Sequence, residues 1–166
     1  LFHCDKSMSD NYNIIDLYQK RYNINSDRVN TFEAYTEIWA NILNCFLISN
    51  NDYKNFIKYI NLEHSWSNIQ AQKIFILTNL DKNINIDINK YTNVLAYFII
   101  RCEIYNNFKK FIKLFNKSIC NNSKVYFEFL QNVNKIIQRD ELIKNISKKN
   151  YIYKSLRMSC MEIKLF

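Results

Sequence analysis

Residues 31–61 read TFEAYTEIWANILNCFLISNNDYKNFIKYIN, and their spacing decides the fold class. Phe32, Tyr35, Ile38, Trp39, Ile42, Cys45 and Phe46 recur at steps of three and four, whereas Glu33, Glu37, Asn41 and Asn44 fall off that stripe. This is the period of an amphipathic α-helix with one face in a core. Beyond Asn50-Asn51 a second stripe, Tyr53, Phe56, Ile57 and Ile60, runs over 52–61 with Lys54 and Lys58 on another face. After glycine, asparagine best tolerates the left-handed backbone that ends a helix, so Asn50-Asn51 predicts the turn of a helical hairpin.

The pattern recurs downstream. Tyr91, Val94, Leu95, Phe98, Cys102 and Tyr105 form a stripe over 89–105, Asn106-Asn107 interrupts it, and Phe108, Phe111, Ile112 and Phe115 form the next. NNDYKNFIK at 50–58 aligns with NNFKKFIK at 106–113 once one residue is skipped. A third copy puts Tyr126, Phe129, Leu130, Val133, Ile136 and Ile137 on a first helix, followed by Asp140-Glu141 and a second helix with Leu142, Ile143, Lys144 and Ile146. Between the first two copies, Trp66, Ile69, Ile74 and Leu77 predict one further helix beginning near 65, with the Asn/Ile alternation of 83–89 as its partner. Ile14, Ile15, Tyr18 and Tyr22 predict a leading helix over 10–24, and Met161, Ile163 and Leu165 alternate with Glu162 and Lys164 in the period of a strand. The expected architecture is one all-α domain over 1–166, with a leading helix at 10–24, hairpins over 31–150 and an extension at 151–166. The hairpins would stack as a short α-solenoid-like array; the alternative is a compact helical bundle.

Composition excludes much chemistry. The 166 residues contain no glycine and no proline, so phosphate-cradling loops, dinucleotide fingerprints and nucleophile elbows, which need a residue without Cβ, cannot be built. The 26 Asn, 25 Ile and 18 Lys resemble the output of a very AT-rich genome. His3 and His64 are the only histidines, and neither has a partner at ligand or triad spacing. Asp140-Glu141, the adjacent carboxylate pair, reads as favourable charge at a helix start. Trp39 and Trp66 sit on apolar stripes as core anchors. The five cysteines, Cys4, Cys45, Cys102, Cys120 and Cys160, lack ligand spacing. They point to free thiols in an intracellular, reducing compartment. No catalytic residue, cofactor or metal is expected, and no transmembrane segment, since the longest uncharged run, 38–51, is short and interrupted by Asn and Ser. The chain begins at Leu1, from which a processed product or a piece of a longer protein is expected.

Charge is divided unevenly. Of 23 Lys+Arg and 15 Asp+Glu, residues 1–100 hold 9 and 10, net −1, whereas residues 101–166 hold 14 and 5, net +9. A basic block of this kind attracts polyanions. Lys109, Lys113 and Lys117 recur every four residues opposite Phe108, Phe111, Ile112 and Phe115, with Lys110 alongside; Lys144, Lys148 and Lys149 make a similar row. Such rows with tyrosines nearby suit a phosphate backbone and unstacked bases, and equally suit the solvated face of any amphipathic helix.

The consecutive units, each a long first helix, an Asn-rich break and a shorter helix of the FKKFIK type, resemble the helical-hairpin repeats of apicomplexan organellar RNA-binding proteins. These are the octotricopeptide and heptatricopeptide arrays, the latter often followed by a RAP domain. Residues 92–146 carry most of the resemblance and 35–61 a further copy, although the family's small-residue and glycine positions are not kept. The resemblance implies binding of single-stranded RNA, or docking in an organellar ribonucleoprotein such as a mitochondrial ribosome; the charge division and the spacing of the seven lysines make those two rows the expected contacts. The helix count and the apolar helix at 91–105 are also similar to the divergent Bcl-2-like proteins of poxviruses, which would imply a groove beside that helix for a partner helix. A third likeness is to exported parasite interaction domains of the PHIST type.

Overall fold

The computed structural model describes residues 9–78, 93–115, 123–137 and 155–162. Helix α1 spans Tyr12–Tyr22; Asn11 caps it by accepting from the Ile14 N–H at 3.0 Å, and Asn23 ends it with φ of 51°. Helix α2 spans Thr31–Ile48. Its first turn is capped from a distance: Asp10 accepts from the Thr31 N–H at 3.0 Å and from the Thr31 hydroxyl at 2.5 Å. Asn50 and Asn51 have φ of 51° and 64°, the left-handed turn expected of that pair. Asp52 then accepts from the Asn55 N–H at 2.9 Å and opens α3, Tyr53–Thr78.

Helix α3 corrects one expectation. The helix over 52–61 and the one beginning near 65 are a single element, because 61–66 (NLEHSW) holds neither an Asn pair nor any other breaker. The partner expected at 83–89 lies outside the described residues. A π-helical turn, Leu95–Ile100, continues directly into α4, Arg101–Asn106, and the Arg101 N–H bonds the Ala96 carbonyl five residues back. Helix α5, Phe108–Phe115, follows the break at Asn106-Asn107, and α6 spans Ser123–Gln131. The helix expected to continue to Ile137 stops there. Residues 132–137 form an irregular strap, still burying Val133 and Ile136, whose backbone is held by side chains: the Ile136 N–H donates to the Tyr22 hydroxyl at 3.0 Å and Gln72 donates to the Ile137 carbonyl at 3.0 Å.

Among the described residues there is no strand, and the fold is all-α. Of the strand expected over 161–165, Met161 and Glu162 belong to a 3₁₀ turn, Cys160–Glu162, and the remainder lies outside the described residues. The turn is tethered by the buried Glu63, whose Oε1 accepts from the Ser159 hydroxyl at 2.5 Å and the Cys160 thiol at 3.1 Å. Trp66, Lys73 and Arg101 donate to the carbonyls of Arg157, Ser155 and Met158 and hold the segment before that turn.

Helices α2 and α3 both pack on the Leu95–Asn106 helix, and α1 meets α6. The Tyr126 hydroxyl of α6 donates to the Thr31 carbonyl at 2.7 Å. Contacts that join the first helix to the last described one fit the compact-bundle form. An aromatic cluster ties α2, α5 and α6: the Tyr35 ring lies 5.7 Å from Phe111, 5.5 Å from Phe115 and 5.0 Å from Tyr126, all edge-to-face. Each such pair adds roughly 0.5–1.5 kcal/mol beyond burial. Trp39 and Trp66 are both buried, as core anchors should be.

Around Glu103 the core is polar. This carboxylate is fully buried, and it accepts from the Tyr18 hydroxyl at 2.7 Å, the Tyr22 hydroxyl at 2.6 Å and the Arg21 guanidinium at 3.1 Å on both oxygens. Arg21 also donates to the Leu130 carbonyl at 2.9 Å and lies 5.0 Å over the Tyr18 ring. One side of α1 therefore clamps α4 and α6 together.

Candidate nucleic-acid interface

Helix α5 sorts its residues as the sequence predicts. Phe111 and Phe115 are buried, Phe108 and Ile112 half-buried, and Lys109, Lys110 and Lys113 exposed. The Lys110 ammonium lies 6.0 Å over the Phe129 ring of α6, a cation–π approach that leaves its charge at the surface. Lys117, Lys144, Lys148 and Lys149, expected to extend the rows, lie outside the described residues.

At the N-terminal end of α5 opens a cleft of about 980 Å³, bounded by α3, the α4–α5 junction and the 132–137 strap. From α3 come His64, Asn68 and Gln72, spaced by four and so stacked along one face. Asn106 and Asn107 come from the junction, and Asn134 and Lys135 from the strap. Ile69, Ile136 and Ile137 give it apolar walls, and among the described residues no carboxylate lines it. A surface that offers amide donors, amide acceptors and an ammonium without a negative charge favours an anionic ligand that carries its own hydrogen-bonding edge.

Much of this lining is held in place. His64 Nε2 lies 2.8 Å from Asn106 Oδ1, and its ring stacks on Tyr105 at 5.9 Å with 11° between planes. Asn68 donates to the His64 carbonyl at 3.0 Å and accepts from the Cys102 thiol at 3.4 Å. Asn107 donates to the Glu103 carbonyl at 2.9 Å. Burial pushes the Cys102 thiol up to about 12, so it stays protonated beneath the cleft at neutral pH. Burial likewise pushes up the Tyr105 phenol, which donates to Asn41.

The cleft was not legible in the sequence. Its single signal is the polar ladder His64, Asn68, Gln72 on a helix otherwise read for its apolar stripe, and four lining Asn among 26 carry no contrast. Of the helix expected over 91–105, beside which a partner groove is expected, every residue from Leu95 to Tyr105 but Tyr97 is buried. Among the described residues no group of three His, Cys, Asp or Glu is placed to hold a metal, and no helix is long and apolar enough to cross a membrane. No family model, curated protein or solved structure matches the chain.

Proposed function

We propose that this protein is a non-enzymatic basic helical module that binds single-stranded RNA, alone or within an organellar ribonucleoprotein. The observation that carries the reading is the exposure of Lys109, Lys110 and Lys113 on a helix that starts at the edge of a cleft whose described lining holds no carboxylate. The +9 charge of residues 101–166 supplies the long-range attraction. Free Cys45, Cys102 and Cys160 are in keeping with a reducing compartment such as the mitochondrial matrix.

The test is RNA affinity as a function of salt. Each neutralised phosphate of a single strand contributes a slope of about −0.7 in log affinity against log salt. Reversing Lys109, Lys110 and Lys113 to Glu weakens binding to all sequences and flattens that slope. Reversing Lys20, which is exposed and ion-paired to Asp16 at 2.7 Å, leaves both nearly unchanged. Absence of RNA binding at low salt, or an unchanged slope in the triple variant, sinks the reading.

A protein-partner role is the second reading, and one feature favours it. The α2–α3 turn exposes Phe46, Leu47 and Tyr53, with Leu47 70% and Tyr53 77% accessible. Apolar surface gathered at one end is what a partner helix covers. Leu47→Asp would then abolish a protein interaction and leave RNA affinity alone.

A further inference from the structure

We infer that the cleft between α3 and the 132–137 strap holds one unpaired nucleotide, with its base inside and its phosphates directed toward the exposed lysines of α5. This inference rests on the RNA-binding reading and assigns the part that recognises bases. Every nucleobase presents adjacent donors and acceptors on its edge and two apolar faces. The cleft supplies the counterpart of both. Asn134 makes no hydrogen bond to the described protein, so its carboxamide offers a donor and an acceptor side by side at the cleft mouth. Asn107, which lines the cleft, commits its amide N–H to the Glu103 carbonyl and keeps Oδ1 as a further acceptor. Ile69, Ile136 and Ile137 supply apolar wall for the ring faces, and the His64 ring, fixed by its stack on Tyr105 and its bond to Asn106, supplies a rigid aromatic plane.

The walls are preorganised, since Asn68, Asn106 and Gln72 are already bonded to protein groups, and little ordering remains to be done on binding. The volume, about 980 Å³, lies at the upper end of the roughly 300–1,000 Å³ range of small-ligand sites, enough for a nucleotide with its water. A base held in a duplex cannot enter, because its edge is paired and its faces are stacked. The cleft therefore converts a charge-driven surface into one that prefers single strands.

The test compares a short single-stranded RNA with a duplex of equal phosphate count, using wild type, Asn134→Ala and the cleft-filling Ser65→Trp. Wild type favours the single strand by on the order of ten-fold or more, the scale of one well-held base. Both variants lose most of that preference while keeping duplex affinity and salt slope. Both sites are exposed, and thermal unfolding midpoints matching wild type show that the fold is intact; should Ser65→Trp fail to fold, Asn134→Ala decides. Equal binding of single strand and duplex by wild type, or a preference that survives both substitutions, overturns the inference and leaves the lysine reading standing. No RNA binding at low salt overturns both. Displacement of the RNA by an unrelated peptide, with the variants abolishing peptide binding instead, assigns the cleft to an extended peptide and also overturns it.

Discussion

The Tyr22 hydroxyl stands between two parts of the bundle: it donates to Glu103 Oε1 at 2.6 Å and accepts the Ile136 N–H at 3.0 Å. One oxygen thus satisfies both a buried carboxylate and the backbone of the strap. Tyr22→Phe keeps the ring and removes both bonds, leaving a buried N–H and a weakened carboxylate shell. The expected cost is about 2–4 kcal/mol in urea unfolding, the sum of two orphaned buried groups. Tyr18→Phe, which removes one bond to the same carboxylate, should cost less.

Burial lifts the Glu103 carboxyl above its ordinary 4.5, although Arg21, Tyr18 and Tyr22 pull it down. A folded state that holds this proton more tightly than the unfolded chain gains stability below the unfolded value, and loses it as pH rises through the folded one. The difference in unfolding free energy between wild type and Glu103→Gln should therefore fall with pH from about 4.5 upward and level off above the folded pKa. A difference that rises with pH over that window would mean Arg21 outweighs burial.

Lys73 has the opposite sign. Its side chain is buried on α3 and donates to the Ser155 carbonyl, and burial lowers its ammonium from 10.5 to about 8. The charged form is disfavoured in the fold, so its penalty is complete below pH 8 and is relieved between 8 and 10.5. The difference in stability between wild type and Lys73→Met should rise across that window, the buried thiols and phenols titrating alike in both. Chemical denaturation at closely spaced pH values reads this directly.

Phe111 is fully buried, with Trp39 at 5.6 Å, Phe115 at 4.9 Å and Phe129 at 5.7 Å. Phe111→Ala should cost about 3–5 kcal/mol, since none of three rings on separate helices can close over the hole. A cost near zero would show that α5 does not pack as described, and would remove the reason Lys109, Lys110 and Lys113 share an outer face.

Helix α2, the Asn50-Asn51 turn and the lysine face of α5 were readable because each follows from local spacing. The length of α3 was not, since an expected repeat unit imposed a boundary where the residues have no breaker. The π-turn was hidden because Leu95–Ile100 is apolar throughout, and such a run has no period to reveal a wider turn. Glu63, Arg101 and Glu103 are ionisable side chains, yet all three are buried. What stabilises Glu103 lies more than 80 residues away in sequence, and only tertiary structure brings it near. For the same reason the cleft, made from three separated segments, left no pattern in the chain.

Helical bundles are usually quick to fold, because most of their contacts are local. Here α1 closes on partners 81 to 114 residues further along, from Glu103 to Ile136. At a synthesis rate of roughly 5–20 residues per second, α1 leaves the ribosome on the order of ten seconds before Ile136 has been made. Through that interval Tyr18 and Tyr22 have no carboxylate to meet, and Arg21 has no counter-charge from Glu103. The bundle's completion is thus timed by translation of its later half, and a chaperone that shelters the first helix would have its use in those seconds.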